Sequence, residues 1–69
     1  APDPVRVAAA LETLETAMKR GEAGERVRAI EDAADLADGE VVGWIARGLG
    51  DKEPTVRNAA VKALRYQEH

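Results

Sequence analysis

Apolar residues recur along the chain at helical spacing, and four segments carry this pattern. The first follows Asp3 and Pro4, which suit an N-cap and a first helical position. Gly21 is a typical helix stop. Residues spaced four, three and four apart form the inward face: Val7, Leu11, Leu14 and Met18. These features predict a helix from about Pro4 to Arg20.

Three further helices follow. The second is predicted at residues 25–38 and ends at an Asp-Gly break; its stripe is Val27, Ile30, Ala34 and Ala37. The third, residues 40–50, is short, and its face is Val41 or Val42, Ile45 and Leu49. The fourth, residues 54–67, begins at a proline, and its inward face is Val56, Ala60, Ala63 and Leu64. None is long enough to be stable alone, so we expect two helical hairpins packed pair on pair.

The third predicted helix contains Gly43 and Gly48. Each glycine weakens a helix by roughly 1 kcal/mol relative to alanine. In return, a glycine lets another backbone come close. We therefore expect both glycines to serve the packing of this helix.

Composition limits the core and the classes of partner. The chain has 69 residues, enough for one domain, and alanine makes up much of its 45% hydrophobic share. Alanine contributes little buried area, so the core is thin. The net charge of −3 is interspersed, which argues against nucleic-acid binding and against an anionic membrane surface. No apolar run reaches transmembrane length, and a cytoplasmic location is favoured. Because the first residue is Ala1 and not Met, we expect a trimmed, processed or excised chain.

An internal repeat becomes visible when the sequence is shifted by thirty-one residues. Both helices of each hairpin then align, since Ile45, Leu49, Arg57, Ala60 and Val61 fall on Leu14, Met18, Arg26, Ala29 and Ile30. A period of this length is typical of helical repeat proteins. The chain is thus predicted to contain two diverged copies of one hairpin, repeat one at about residues 4–37 and repeat two at about residues 40–67.

The stretch "IARGLGDKEPTVRNAAVKAL" in the last third of the chain resembles a HEAT repeat, in particular the HEAT-like repeats first noted in phycobilisome lyases. The matching elements are Ile45, Leu49, Asp51, Pro54, Val56-Arg57, Ala60 and Ala63-Leu64. The first repeat matches loosely. The resemblance implies an all-α fold in which two antiparallel helix hairpins stack as a short right-handed α-solenoid. It also implies a role in binding other proteins.

The resemblance further implies a ladder of polar contacts between the repeats. In HEAT repeats an Asp and an Arg with the spacing of Asp51 and Arg57 form such a ladder. We expect Asp51 to accept hydrogen bonds from loop amides and from a guanidinium. In the first repeat Arg20 occupies the position of the Asp. Arg26 occupies the position of the Arg, and it could reach forward to Asp51.

Catalytic chemistry has little support in the residues. The chain has no cysteine and no serine, and its one histidine is His69, so a His/Cys metal site and a Ser-His nucleophile are absent. We expect no enzyme activity and no cofactor. Asp32, Asp35 and Asp38 lie close together, but without an EF-hand loop a solvated acidic face is favoured over a calcium site.

Trp44 and Tyr66 each allow two interpretations. Tryptophan is enriched at binding hot spots, but Trp44 lies at the edge of the apolar stripe of its helix. A packing role between helices is favoured for it. Tyr66 is expected to be a half-exposed residue of the last helical turn.

The sequence therefore predicts a protein-interaction scaffold or a segment of a longer HEAT-like array. Its partner would be another protein or a peptide, bound by the outward residues of the second helix of each hairpin: Arg28, Glu31, Asp32, Asp35, Asn58, Lys62 and Arg65. Self-association through exposed end faces is a further expectation. The alternative function is an accessory, chaperone-like subunit of a bilin-lyase-type enzyme. A nucleic-acid-binding role is disfavoured by the charge.

Overall fold

Four α-helices account for most of the chain. The computed structural model describes residues 3–68 and contains no strand among them. The helices are α1 (Pro4–Arg20), α2 (Ala23–Ala33), α3 (Gly39–Arg47) and α4 (Pro54–Gln67), and the 3₁₀ turn Gly48–Gly50 follows α3. The all-helical prediction is thus confirmed for this part of the chain. Within it, no helix combines the length and apolar character needed to cross a membrane.

Side-chain caps fix the starts of three helices. The Asp3 carboxylate accepts a hydrogen bond from the Val5 N–H (2.9 Å) at the start of α1. Asp38 does the same for two N–H groups of α3, at 3.1 and 3.2 Å. At the start of α2, Glu22 and Glu25 each accept a bond from the other's backbone N–H, which is a reciprocal capping box. These local contacts satisfy N–H groups that have no partner inside a helix.

The second helix ends earlier than its sequence pattern predicts. α2 stops at Ala33, and the chain then turns so that Leu36 is buried in the core while Ala37 is exposed. Asp38 belongs to the next element, because it caps α3. Leu49 is also more exposed than predicted, at 44%, since the helix tightens into the 3₁₀ turn there and changes the direction of its side chains.

The helices pack as two hairpins, α1 with α2 and α3 with α4, and the hairpins lie against each other. α1 contacts α3, and α2 contacts α4. Hydrogen bonds join the start of α2 to the turn before α4 at one end, and the last turn of α4 to the residue just past α2 at the other, so these two helices run parallel. Six of the twelve core residues are alanine; the others are Leu14, Ile30, Leu36, Val41, Ile45 and Val56. The core is therefore thin, as the composition predicts.

The buried positions of the two hairpins follow two different offsets. Thirty-one residues separate Leu14 and Ala17 of α1 from the buried Ile45 and Gly48. In the second helices the offset is thirty, from Ala29, Ile30 and Ala33 to Ala59, Ala60 and Ala63. The predicted alignment of Val61 with Ile30 is thus wrong, because Val61 is exposed and the buried counterpart of Ile30 is Ala60. Because α4 begins thirty-one residues after α2, α4 is rotated by one residue, roughly 100°, about its axis.

The two glycines near α3 differ in their surroundings. A Cβ atom on Gly48 would lie 3.0 Å from both the Ala60 Cβ and the Ile30 Cδ1, whereas one on Gly43 would meet nothing within 4 Å. Gly48 therefore permits the close approach of α4, as predicted. The prediction that Gly43 also serves packing is wrong.

Gly43→Ala and Gly48→Ala form a matched pair for testing this difference. We expect Gly43→Ala to raise the free energy of unfolding by about 0.5–1 kcal/mol, because alanine favours the helix. Gly48→Ala should lower it by about 1–3 kcal/mol, because the Ala60 Cβ cannot rotate away and the backbones must separate. Urea unfolding followed by circular dichroism measures both. Two stabilised variants would show that the Gly48 contact is readily relieved.

Candidate functional site

A partly buried ion pair joins the two hairpins. The Arg26 Nε donates to Asp51 Oδ2 at 2.8 Å, and Arg26 Nη2 donates to Asp51 Oδ1 at 3.0 Å. The third nitrogen, Nη1, donates to the Gly21 carbonyl at 2.7 Å. Both side chains are only 11% exposed. Arg26 thus connects the end of α1, the start of α2 and the turn before α4, with the bidentate geometry that makes such pairs strong.

Asp51 has further partners in its own turn. Its Oδ1 also accepts a hydrogen bond from the Glu53 N–H at 2.9 Å. Its backbone carbonyl accepts one from Arg57 Nη1 at 2.7 Å. The structure therefore brings together all three residues of the predicted ladder, Asp51, Arg57 and Arg26. Arg57 reaches the backbone of Asp51, and Arg26 takes the carboxylate.

These contacts change the proton affinity of the pair. The hydrogen bond from Arg26 lowers the pKa of Asp51 below its ordinary value of 3.8, and the Glu53 N–H lowers it further. In turn, the hydrogen bond to Asp51 raises the pKa of Arg26. Both groups are therefore charged throughout the neutral range.

A second polar contact joins the hairpins at their other end. The Gln67 side-chain amide donates to the carbonyls of Ala34 (2.7 Å) and Leu36 (2.8 Å). These carbonyls lie just past the end of α2, where backbone acceptors lack partners within the helix. One amide group thus satisfies two of them and fixes the last turn of α4 against the first hairpin.

A shallow groove of about 210 Å³ lies between α2 and α4. Its floor is formed by Ala34, Ala59 and Ala63, and its walls carry Glu31 from α2 and Lys62 from α4. Tyr66, which is 61% exposed, also lines it. An apolar floor between opposite charges and an accessible aromatic ring is a surface suited to another polypeptide. We name this surface the α2–α4 groove.

A second, larger groove of about 580 Å³ lies between α1 and α2. Ala17 and Ala29 are its buried residues. The rest of its lining is glycine or polar: Glu12, Thr13, Thr16, Arg20, Gly21, Glu25, Arg28 and Asp32. It carries both acids and bases, and unlike the α2–α4 groove it has no aromatic residue in its lining.

The seven residues predicted to bind a partner are all exposed, and four of them line one of the two grooves. Glu31 and Lys62 line the α2–α4 groove. Arg28 and Asp32 line the α1–α2 groove. The three others, Asp35, Asn58 and Arg65, line neither groove. The exposed arc of a helix spans several directions, so the neighbouring helix decides which of its outward residues faces a groove.

Asp35 differs from the other six in position and in contacts. It lies beyond the end of α2, which stops at Ala33, and not on the helix as predicted. Its carboxylate forms an ion pair with Arg6 of α1 at 3.4 Å. Both side chains are about half exposed, so the pair contributes little to stability.

Trp44 is half-buried and packs against the core, which is the role favoured for it from sequence. The Arg47 guanidinium lies over its ring at 4.2 Å and the Lys19 ammonium at 5.8 Å. These cation–π contacts link α1 to α3 across the ring.

Tyr66 was not among the residues predicted to bind a partner, although its spacing from Lys62 and Ala63 places it on the same face of α4.

The remaining candidates for chemistry do not converge. Within residues 3–68, no three acidic or histidine side chains are grouped so that they could hold a metal ion. Asp32 lines a groove, Asp35 pairs with Arg6, and Asp38 caps α3. His69 lies outside the described residues.

Comparisons of the chain with protein-family models, with curated proteins and with solved structures found no match. The geometry of the grooves therefore carries the functional proposal.

Asp51→Ala should lower the free energy of unfolding by about 1.5–3 kcal/mol, the range for a hydrogen bond to a charged group. The change removes the acceptor for two Arg26 nitrogens and for the Glu53 N–H. Glu31→Ala, on the exposed face of α2, is the control and should fall within about 0.5 kcal/mol of wild type. Urea melts measure both variants. Equal midpoints would mean that the ion pair does not hold the hairpins together.

The same pair predicts a dependence of stability on pH. Because the folded pKa of Asp51 lies below 3.8, its contribution is fully present above that value and is lost as pH falls through the folded pKa. Asp51→Asn cannot ionise. The difference in unfolding free energy between wild type and Asp51→Asn should be constant near neutral pH and shrink below about pH 4. Urea melts in buffers from about pH 7 to pH 2.5 test this, and a constant difference contradicts it.

Proposed function

We propose that this chain is a protein-binding module built from two HEAT-like hairpins, stacked as a short right-handed α-solenoid or as a segment of a longer array. The contacts between α1 and α3 and between the parallel helices α2 and α4 support this arrangement. So does the recurrence of buried positions at offsets of thirty-one and thirty residues. No catalytic role is proposed.

The α2–α4 groove is the observation that carries the proposal. Three alanines form its floor, and their small side chains let a partner's side chain approach two helix backbones. Tyr66 is 61% exposed beside them. A rigid aromatic ring with a hydroxyl group supplies contact area at low entropic cost, which is why tyrosine is enriched at binding hot spots. A short peptide segment with a small apolar residue fits this combination.

The charged residues beside the groove floor would fix the orientation of a bound peptide. Glu31 lies on the α2 wall and Lys62 on the α4 wall, and neither is hydrogen-bonded to another described side chain. A bound segment that carries a base on one side of its apolar residue and an acid on the other would meet both. Such rim charges contribute mainly to specificity and to the rate of association.

A displayed library of short peptides, selected against the wild-type chain, tests the proposal. We expect the selected peptides to share a small apolar residue with a flanking base or acid. Tyr66→Ala should weaken their binding by about tenfold or more, the usual effect of losing a hot-spot aromatic residue. Lys62→Glu should weaken those that carry the matching acid. Isothermal titration calorimetry measures the affinities.

Arg28→Ala is the matched control, since Arg28 is exposed on α2 but faces the other groove. Binding to this variant should equal binding to wild type. A loss of affinity in Arg28→Ala together with an unchanged affinity in Tyr66→Ala would place the binding surface in the α1–α2 groove and overturn the assignment.

A further inference from the structure

Four residues form a stripe along the side of α4 away from the α2–α4 groove. Arg57, Val61, Leu64 and Glu68 follow one another at steps of four, three and four, so they share one helical face. Val61 is 37% exposed and Leu64 is half-buried. Arg57 and Glu68 are exposed, and neither forms a salt bridge with any residue in the described part of the chain. We name this set the α4 stripe.

The stripe lies on the outer side of the second hairpin. Leu11 and Met18 of the first hairpin pack, half-buried, against the core. Their counterparts thirty-one residues on are Val42 and Leu49, and Leu49 is 44% exposed. Val42 and Leu64, like Leu11 and Ala34, are half-buried. In the second hairpin, Leu49 and Val61 are the large aliphatic residues that remain exposed.

We propose that two copies of this chain associate through these outer faces, with α4 against α4 and antiparallel. The order of the α4 stripe is base, apolar, apolar, acid. Read in reverse it is acid, apolar, apolar, base, so the stripe is complementary to itself. A two-fold axis between Val61 and Leu64 sets Val61 opposite the partner's Leu64 and Arg57 opposite the partner's Glu68, twice over. Such an interface uses the same patch on both copies and closes as a dimer.

The other orientations are less favourable. A parallel pairing of the two α4 helices would set Arg57 against the partner's Arg57 and acid against acid. A head-to-tail stack would press the α1–α2 groove of one copy, with Glu25, Arg28 and Asp32 at its rim, onto Leu49 and Val61 of the next. Those charges would lose water without fixed partners, which is costly. The antiparallel dimer avoids both penalties.

The interface is small. One helix stripe buries less than the roughly 1,200–2,000 Å² of a stable complex, so we expect a dissociation constant in the range of about 10 μM to 1 mM. The α2–α4 groove stays open in the dimer, because Lys62 and Tyr66 lie on another side of α4. The inference is therefore independent of the proposed peptide binding.

Sedimentation equilibrium over a range of protein concentrations up to the millimolar level tests the association. The wild-type chain should shift from monomer to dimer, and Val61→Glu should remain monomeric throughout. Val5→Glu, at a valine that is 76% exposed on α1, is the matched control and should dimerise as wild type does. A wild-type chain that stays monomeric, or a Val61→Glu variant that dimerises normally, overturns the proposal.

Charge reversal tests the antiparallel register. Arg57→Glu and Glu68→Arg should each weaken dimerisation by about tenfold, since each turns two attractive pairs into repulsive ones. An equimolar mixture of these two variants should associate about as well as wild type, because each supplies the charge that the other lacks. The double variant Arg57→Glu/Glu68→Arg should also dimerise.

Because Arg57 also donates to the Asp51 carbonyl, circular dichroism and thermal melting must show that each variant is folded. Glu68→Arg carries the test alone if Arg57→Glu is unstable. The antiparallel register is overturned if Glu68→Arg dimerises as wild type does, or if the mixture of folded single variants associates no better than either alone.

Discussion

The Arg26 guanidinium holds the two hairpins in register. All three of its nitrogens donate hydrogen bonds, two to the Asp51 carboxylate and one to the Gly21 carbonyl, so a single side chain connects α1, α2 and the turn before α4. A core in which half of the residues are alanine gains little from each buried side chain. Strong polar contacts at the edge of that core therefore carry an unusual share of the orientation between helices, and Gln67 does the same at the far end of α2.

Small residues link the packing of the chain to its proposed binding surface. Gly48 and Ala60 let the 3₁₀ turn and α4 come close. Ala59 and Ala63, which are buried against the first hairpin, also form the floor of the α2–α4 groove together with Ala34. Larger side chains at these positions would both fill the groove and push the helices apart. The thin core and the open groove are two results of the same choice of residues.

The starts of α1 and α4 could be predicted from the sequence because their signals are local, whereas α2 begins at Ala23, two residues before its predicted start. Asp3 with Pro4, and Pro54, act within one turn of their own position. The end of α2 could not be predicted in this way, since the burial of Leu36 and the bonds from Gln67 to its carbonyl depend on α4. Likewise, the exposed residues of α2 and α4 were identified as outward. Which of them faces a groove depends on the one-residue rotation of α4, a property of the assembled helices that no local pattern encodes.

The Arg26–Asp51 pair spans twenty-five residues of the chain and the Gln67–Ala34 bond thirty-three, whereas many other contacts in this fold lie within one hairpin. Contacts between distant residues form late in folding, because loop-closure entropy must be overcome first. The two hairpins are therefore expected to form quickly and to dock in the slower step, as neighbouring units of a helical repeat do. In the native state the reverse event, separation of the intact hairpins at the alanine-lined interface, is then expected to require less free energy than complete unfolding.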